Sequence, residues 1–156
     1  MSAAAAVDPG PIDLPGPTGE SNRYRLLPRG PVLCLGPGPV VLDQAVQALA
    51  AGNAVLAVSG DATKTLAPLL DGEFPIVALD GQADPAALGE LDVAAVAWTG
   101  SLDAAASYRR VLSARPGAII PLVRGQISPT AYSHEQAICI DTTAAGGNAA
   151  LLAQTA

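Results

Sequence analysis

The sequence predicts an α/β fold: a Rossmann-like, five-stranded parallel sheet with helices on both faces, plus an extended N-terminal strap and a C-terminal β arm. Three observations predict it. Between Pro31 and about Arg124, short apolar runs alternate with segments of helical period, as βαβ units buried on both faces require. Residues that break or cap helices stand at the joins. The chain has 156 residues, half of them apolar and 14% charged, which suits one domain with a real core. Residues 1–30 read as a Pro-rich strap, 31–124 as the Rossmann-like domain and 125–156 as the arm.

The strap holds five of the fourteen prolines, and a sixth, Pro31, follows it directly. Each Pro fixes φ, removes a donor and pushes the residue before it to extended backbone. Little regular structure is expected there, beyond a short edge strand at Arg23-Tyr24-Arg25-Leu26. Val32 to Gly36 is a first buried strand. Val41, Ala45, Ala48 and Leu49 then recur near helical period, and Gly52 closes that helix. Ala54 to Ser59 is a second strand. Asp61 is placed to cap a helix over Ala62 to Leu70, shortened or kinked by Pro68. Pro75 to Asp80 is a third strand. Asp84-Pro85, an N-cap followed by Pro at the first helical position, starts a short helix to about Leu91. Val93 to Trp98 is a fourth strand. Ser101 or Thr99 caps a helix from Leu102 to about Ala114, with Asp103 in its first turn and Arg109, Arg110 and Arg115 toward its end. Ala118 to Val123 is a fifth strand, which Pro121 makes an edge or bulged one. Right-handed crossovers and the strand order 3-2-1-4-5 are expected, in preference to 2-1-3-4-5.

Beyond Arg124 the chain turns polar, and Gly125 to Gln136 reads as loop. Ala137 to Thr143 is a strong strand signal, suited either to a sixth strand of the main sheet or to an arm that pairs elsewhere. Ala144-Ala145-Gly146-Gly147-Asn148 reads either as a loose chain end or as a close backbone approach to another surface, since small residues let chains meet.

Composition excludes several function classes. Eight basic residues against fourteen acidic give a net charge of −6 with no basic run, which argues against binding driven by nucleic-acid phosphates. No apolar run reaches the ~18 residues of a membrane span. The Met1 to Gly10 start lacks the charged and apolar regions of a secretory signal. Two cysteines far apart form no disulfide framework or zinc spacing, and a reducing cytoplasm is expected.

The natural cofactor position is the first strand-to-helix turn, Leu35 to Val41. A dinucleotide fingerprint needs a third Gly where Val41 stands, and backbone N–H groups aimed at the pyrophosphate. Pro37 and Pro39 have none. Ser59-Gly60 occupies the place of the acidic ribose ligand. The turn is therefore expected to bind no cofactor, against the alternative of a self-contained nucleotide-binding module. Cys34 and Cys139, each flanked by apolar residues mid-strand, are expected to be buried and inert. His134 is expected to be a solvated loop residue, without a second metal ligand or a nucleophile near it. Trp98 is expected to be core. No catalytic, cofactor-binding or metal-ligating residue is assigned.

Two segments carry a resemblance. LPGPTGESNRYRLLPRG, Leu14 to Gly30, resembles the segment that follows the aldehyde dehydrogenase module in bacterial proline utilization A. SHEQAICIDTTAAGGNAALL, Ser133 to Leu152, resembles the C-terminal conserved motif of that family, a strand followed by TAAGGNA. The two cover about a quarter of the chain, and a Rossmann-like unit separates them as in the longer family members. The resemblance implies a bifunctional flavoenzyme with two catalytic modules. One oxidises proline with FAD. The other, NAD-dependent, oxidises glutamate γ-semialdehyde, the hydrolysed form of pyrroline-5-carboxylate, to glutamate. This chain resembles the added C-terminal domain of the aldehyde dehydrogenase superfamily, not known to be catalytic, together with the terminal motif thought to close the cavity through which the intermediate passes. It lacks the flavin barrel, the nucleophilic Cys loop and the catalytic Glu. The resemblance therefore implies an interaction arm at Ile138, Ile140, Thr142, Thr143, Gly146, Gly147 and Asn148, and no cofactor in this chain. The implied partner is the aldehyde dehydrogenase module of the same protein or of a neighbouring chain, in the cytoplasm. Met1-Ser2 followed by four alanines suits either a fragment or a separate gene product.

Overall fold

A computed structural model describes residues 10–125 and 128–141. They form two sheets. In chain order the elements are β1 (Ile12–Leu14), β2 (Glu20–Pro28), β3 (Val32–Leu35), α1 (Pro39–Ala50), β4 (Val55–Ser59), α2 (Ala62–Thr65), α3 (Ala67–Leu70), β5 (Ile76–Asp80), β6 (Ala95–Trp98), α4 (Leu102–Ser113), β7 (Leu122–Arg124) and β8 (Ser133–Asp141). Single 3-10 turns stand at Pro85–Gly89 and Pro129–Tyr132. The chain divides into two compact units. Leu27–His134 belongs to the first, and the described residues of the second lie within Asp8–Leu26 and Glu135–Ala156.

The first unit holds the parallel sheet, in the order β5-β4-β3-β6-β7, which is the expected 3-2-1-4-5. Val32, Leu33 and Cys34 are buried on successive faces of the central strand, so β3 reads as an unbroken apolar run rather than an alternation. One face meets α1, α2 and α3. There Val32, Cys34, Val55, Ala57, Ala95 and Ala97 pack under Val41, Ala45 and Ala48 of α1, which share one stripe at helical spacing. The other face packs Leu33 and Val96 against Leu112 of α4 and Leu88 of the 3-10 turn. Burying each such side chain contributes about 1.5–3 kcal/mol.

Several elements differ from the sequence reading. Pro68 has no N–H to donate, and the helix expected over Ala62 to Leu70 splits at Leu66 into α2 and α3. Asp61 makes no side-chain cap. Asp80, at the end of the neighbouring strand, accepts from the Thr63 backbone N–H at 2.8 Å and from its hydroxyl at 2.6 Å instead. Asp84 does cap, accepting from Ala86 N–H at 2.9 Å, but only one 3-10 turn follows. Ser101, not Thr99, caps α4, through Ala104 N–H at 3.3 Å. The fifth strand is reduced to Leu122–Arg124 at the sheet edge, where Pro121 cannot donate to a ladder.

The largest differences lie at the two ends. The strap was expected to have little regular structure, yet nine of its residues form β2, the middle strand of a three-stranded sheet ordered β1-β2-β8. β1 runs antiparallel to β2, with Asp13 opposite Arg23 and their side chains 3.3 Å apart. Pro11 stands just before β1, Pro15 and Pro17 between β1 and β2, and Pro28 at the end of β2, where a missing N–H breaks no ladder bond. β8 starts four residues earlier than expected and joins this small sheet, so it is an arm that pairs elsewhere and not a sixth parallel strand.

Candidate functional site

The β3–α1 turn sits at the carboxyl end of the central strand, the place where open α/β sheets bind ligands. Here three of its donors, on Gly36, Val40 and Val41, are already used. Gly36 N–H donates to Gln44 Oε1 at 2.7 Å, and Gln44 Nε2 reaches Thr99 Oγ1 at 3.3 Å in the β6–α4 turn. Pro37 and Pro39 have no N–H. The amides of Val40 and Val41 turn back onto the carbonyls of Pro37 and Gly38, at 3.1 and 3.3 Å. A side chain of α1 thus fills the role that an anion's oxygen would take at a phosphate-binding turn. Gln44 is fully buried, and a Cβ on Gly36 would fall 2.8 Å from its Oε1, so the approach depends on glycine. Gly38, at φ 49, supplies the left-handed residue that admits the chain into the helix. Val41 is fully buried against the sheet where a fingerprint glycine would stand.

Beside this turn lies a crevice of about 240 Å³, lined among others by Leu35, Pro37, Ser59, Gly81, Thr99 and Tyr108. Its hydroxyls are largely committed to the protein. Ser59 donates to Asp61 at 3.3 Å, and Tyr108 donates to the Ala83 carbonyl at 3.0 Å. Tyr108 is the one titratable residue in the lining, and desolvation, with Asp84 nearby, raises its phenol above the ordinary value. A phenol held protonated cannot act as a base near neutral pH, and no Cys, His, Asp, Glu or Lys lines the crevice. Among the described residues, no three His, Cys, Asp or Glu side chains gather as a metal site would.

The two cysteines separate. Cys34 is buried in β3, and desolvation pushes its thiol up to about 12, so it stays protonated and unreactive. Cys139 is exposed, contrary to expectation. The strand alternates: Gln136 and Ile138 are half-buried while Ala137 and Cys139 face out, because β8 belongs to a thin sheet and not to a core covered on both faces. His134 lies on β8 rather than in a loop, exposed, with Nδ1 3.4 Å from Arg29 Nη1. Trp98 is buried as expected. Its ring centroid lies 6.0 Å from that of Tyr108, with the Arg124 guanidinium over the indole at 5.8 Å.

Of the expected arm, the structure describes Ile138, half-buried, and Ile140, half exposed, both on β8. Thr142, Thr143, Gly146, Gly147 and Asn148 lie outside the described residues. In the same unit Arg25 donates to Gln136, and desolvation, with a hydrogen bond to Glu135 and its charge, raises the Tyr24 phenol above the ordinary value.

Sequence reasoning missed the hub that completes the first unit. Tyr132, from a stretch read as loop, is its largest fully buried side chain and packs in the core cluster with Cys34, Ala45 and Ala48. Asn53, almost completely buried, holds it there. Its Nδ2 donates to the carbonyls of Ala48 and Tyr132, both at 3.0 Å, and its Oδ1 accepts from Gly30 N–H at 3.0 Å. Arg29 adds its own N–H to the Tyr132 carbonyl and its Nε to that of Ala131, each at 3.3 Å. The available signal was the row Ala45, Ala48 and Ala51. A helix face so small leaves space over the sheet that a large side chain from elsewhere must fill.

Comparison with known proteins places these features. The chain is 33% identical over 145 residues to the bifunctional protein PutA of Salmonella typhimurium, a match covering 89% of this chain and 11% of that protein. A crystal structure of bifunctional proline utilization A is similar at a TM-score of 0.65 and 34% identity, over 72% of this chain and 13% of that one. An NAD-dependent benzaldehyde dehydrogenase from Corynebacterium glutamicum, 17% identical, has the same fold, with a TM-score of 0.60 over 73% of this chain and 28% of that one. No family model matches. The chain spans about a tenth of the length of the curated relatives it matches. Among the described residues, no helix is long and apolar enough to cross a membrane.

Proposed function

We propose, on the premise that this chain is a homologue of part of bifunctional proline utilization A, that it is the non-catalytic accessory domain at the C-terminal end of such an enzyme. It supports NAD-dependent glutamate γ-semialdehyde dehydrogenase activity and channelling of the intermediate during proline catabolism to glutamate. FAD and NAD serve in other modules, and this chain holds neither. Its partner is the aldehyde dehydrogenase module of the same protein or of a neighbouring chain, in the cytoplasm, without nucleic acid or membrane contact by this segment.

The observation that carries the reading is the match along nearly the whole chain to a short slice of a long bifunctional enzyme. The turn chemistry supports it. A pyrophosphate entering the β3–α1 turn would have to displace Gln44 from Gly36 N–H, leaving the buried Gln44 Oε1 without its partner, at a cost of about 1–3 kcal/mol. Two prolines would offer it nothing in return. The arm supplies the binding element: a β-rich strand can add main-chain bonds to a sheet edge of a neighbouring module, and glycines lie close over a wall. Ile138, Ile140, Thr142, Thr143, Gly146, Gly147 and Asn148 are the residues proposed to make that contact.

Two measurements test this. Titration of the chain with NAD should show no saturable binding below about millimolar, which corresponds to ~4 kcal/mol. Saturable binding in the crevice would favour a nucleotide-binding module instead. In an enzyme carrying this chain with both catalytic modules, deleting Ala137 to Ala156 should lower dehydrogenase activity and coupled proline-to-glutamate flux while proline oxidation persists. Unchanged flux would sink the accessory role.

A further inference from the structure

The third strand of the parallel sheet is unprotected in a way the other edge is not. We propose that β5 is a docking site for an extended apolar strand, flanked by basic residues, from another protein or module. This surface is separate from the β8 arm and does not rest on the function proposed above.

β5 is the end strand in the order β5-β4-β3-β6-β7, so one side of its backbone has no strand partner among the described residues. Its outward side chains are also uncovered. Val77 is 57% exposed and Leu79 51%, while Leu56 and Val58, their register partners on β4, are half-buried. The cause is the short crossover to β6. A full helix would cover this face of β4 and β5, but the chain makes only the 3-10 turn Pro85–Gly89, and its Leu88 packs toward Leu33, Val93 and Val96 near the sheet centre.

Exposed edges of this kind are usually blunted by Lys, Pro, a bulge or extreme shortness. Both end strands follow a proline, Pro75 and Pro121, but only β7 is otherwise blunted: it has three residues and ends in Arg124. β5 has five residues in unbroken register with β4 and no basic residue.

Charge selects the occupant. Asp71 and Glu73 precede the strand, and Asp80 and Asp84 flank its far end. Lys64 is the one basic residue between Arg29 and Arg109. Both stand at the start of the crossover, where Asp80 accepts hydrogen bonds from Thr63, which hold its carboxyl below the ordinary range, and Asp84 accepts one from Ala86 N–H. A strand with Lys or Arg on each side of alternating apolar residues complements this pattern, and main-chain ladder bonds supply the rest of the attraction. A second copy fits poorly: it brings the same four carboxylates against these, and each copy carries a net charge of −6.

The probe is a labelled synthetic peptide, KKVTVTVKK, titrated against the whole chain by fluorescence anisotropy, with EEVTVTVEE as its counterpart. The basic peptide should bind at least about tenfold more tightly, a difference of ~1.4 kcal/mol. Val77→Lys and Leu79→Lys should each weaken it by a similar factor, and Ile12→Lys, an exposed position on the other sheet, should not. Hydrogen exchange should slow within Ile76–Asp80 on binding, a readout that holds even if a variant folds poorly. Equal or absent binding of both peptides, or protection confined to another element, would overturn the proposal. So would a concentration-dependent dimer dissolved by Val77→Lys, which would assign the edge to a second copy.

Discussion

Tyr132 and Asn53 show how single side chains close the first unit. Tyr132→Ala should cost about 3–5 kcal/mol in urea unfolding, since it removes a large ring from a filled space. Tyr132→Phe should cost nothing or stabilise slightly, because the buried hydroxyl has no partner among the described residues. A large loss in the Phe variant would mean that the hydroxyl is satisfied after all. Asn53→Leu should cost about 1–3 kcal/mol, because it leaves Gly30 N–H without its acceptor and takes one of two donors from each of the Ala48 and Tyr132 carbonyls. The cysteines should part company in thiol labelling, with Cys139 reacting quickly and Cys34 only after denaturation. The Cys34 thiol is raised to about 12 when folded, so its burial favours the native state fully below the unfolded thiol's range. That contribution should fade as pH climbs from about 9 toward 12, visible as a steeper alkaline fall in melting temperature that Cys34→Ala removes. The closed turn was half legible in sequence. Pro37, Pro39 and Val41 argue against a phosphate on local grounds, whereas the role of Gln44 needs the helix to bring position 44 back beneath Gly36.

The elements were legible wherever the chain interacts with its near neighbours. Apolar runs place all five parallel strands, and Ser101 and Asp84 act as local caps. The reading failed where a distant group replaced a local one. Asp61 has the right chemistry and place to cap α2, but Asp80, nineteen residues on, takes the Thr63 amide. Its carboxyl is held below the ordinary range by the two bonds from Thr63. A lowered acid stabilises the fold above its unfolded value and loses that contribution as pH falls through the folded one. Asp80→Asn should therefore flatten the acid limb of the melting-temperature profile, and an unchanged limb would show that the Thr63 contact is idle. Truncation separates the arm from the core. A chain ending at Gln136 keeps the parallel sheet and Tyr132, and should melt close to the full chain. One ending at Arg124 lacks the ring, and should lose about as much as Tyr132→Ala. Equal losses for the two truncations would contradict the separation.

Across the whole molecule, strand order followed from a general rule of α/β folds, and the pairing of the two ends did not. Arg25 and Gln136 are 111 residues apart in sequence, and nothing in either segment's period names the other as its partner. Both read as extended, so the strap and the arm were each recognised without their shared sheet. The same separation matters for Asn53 and Tyr132, 79 positions apart. During synthesis all five parallel strands are made before the Tyr132 ring arrives, so the growing chain carries an open socket over Ala45 and Ala48 until that residue is added. During that interval the socket is exposed apolar surface, a target for holdase chaperones and for proteases. Stalled nascent chains released at Arg124 should be cut readily within α1, and chains released at Gln136 should resist, so twelve further residues decide whether the sheet is shielded.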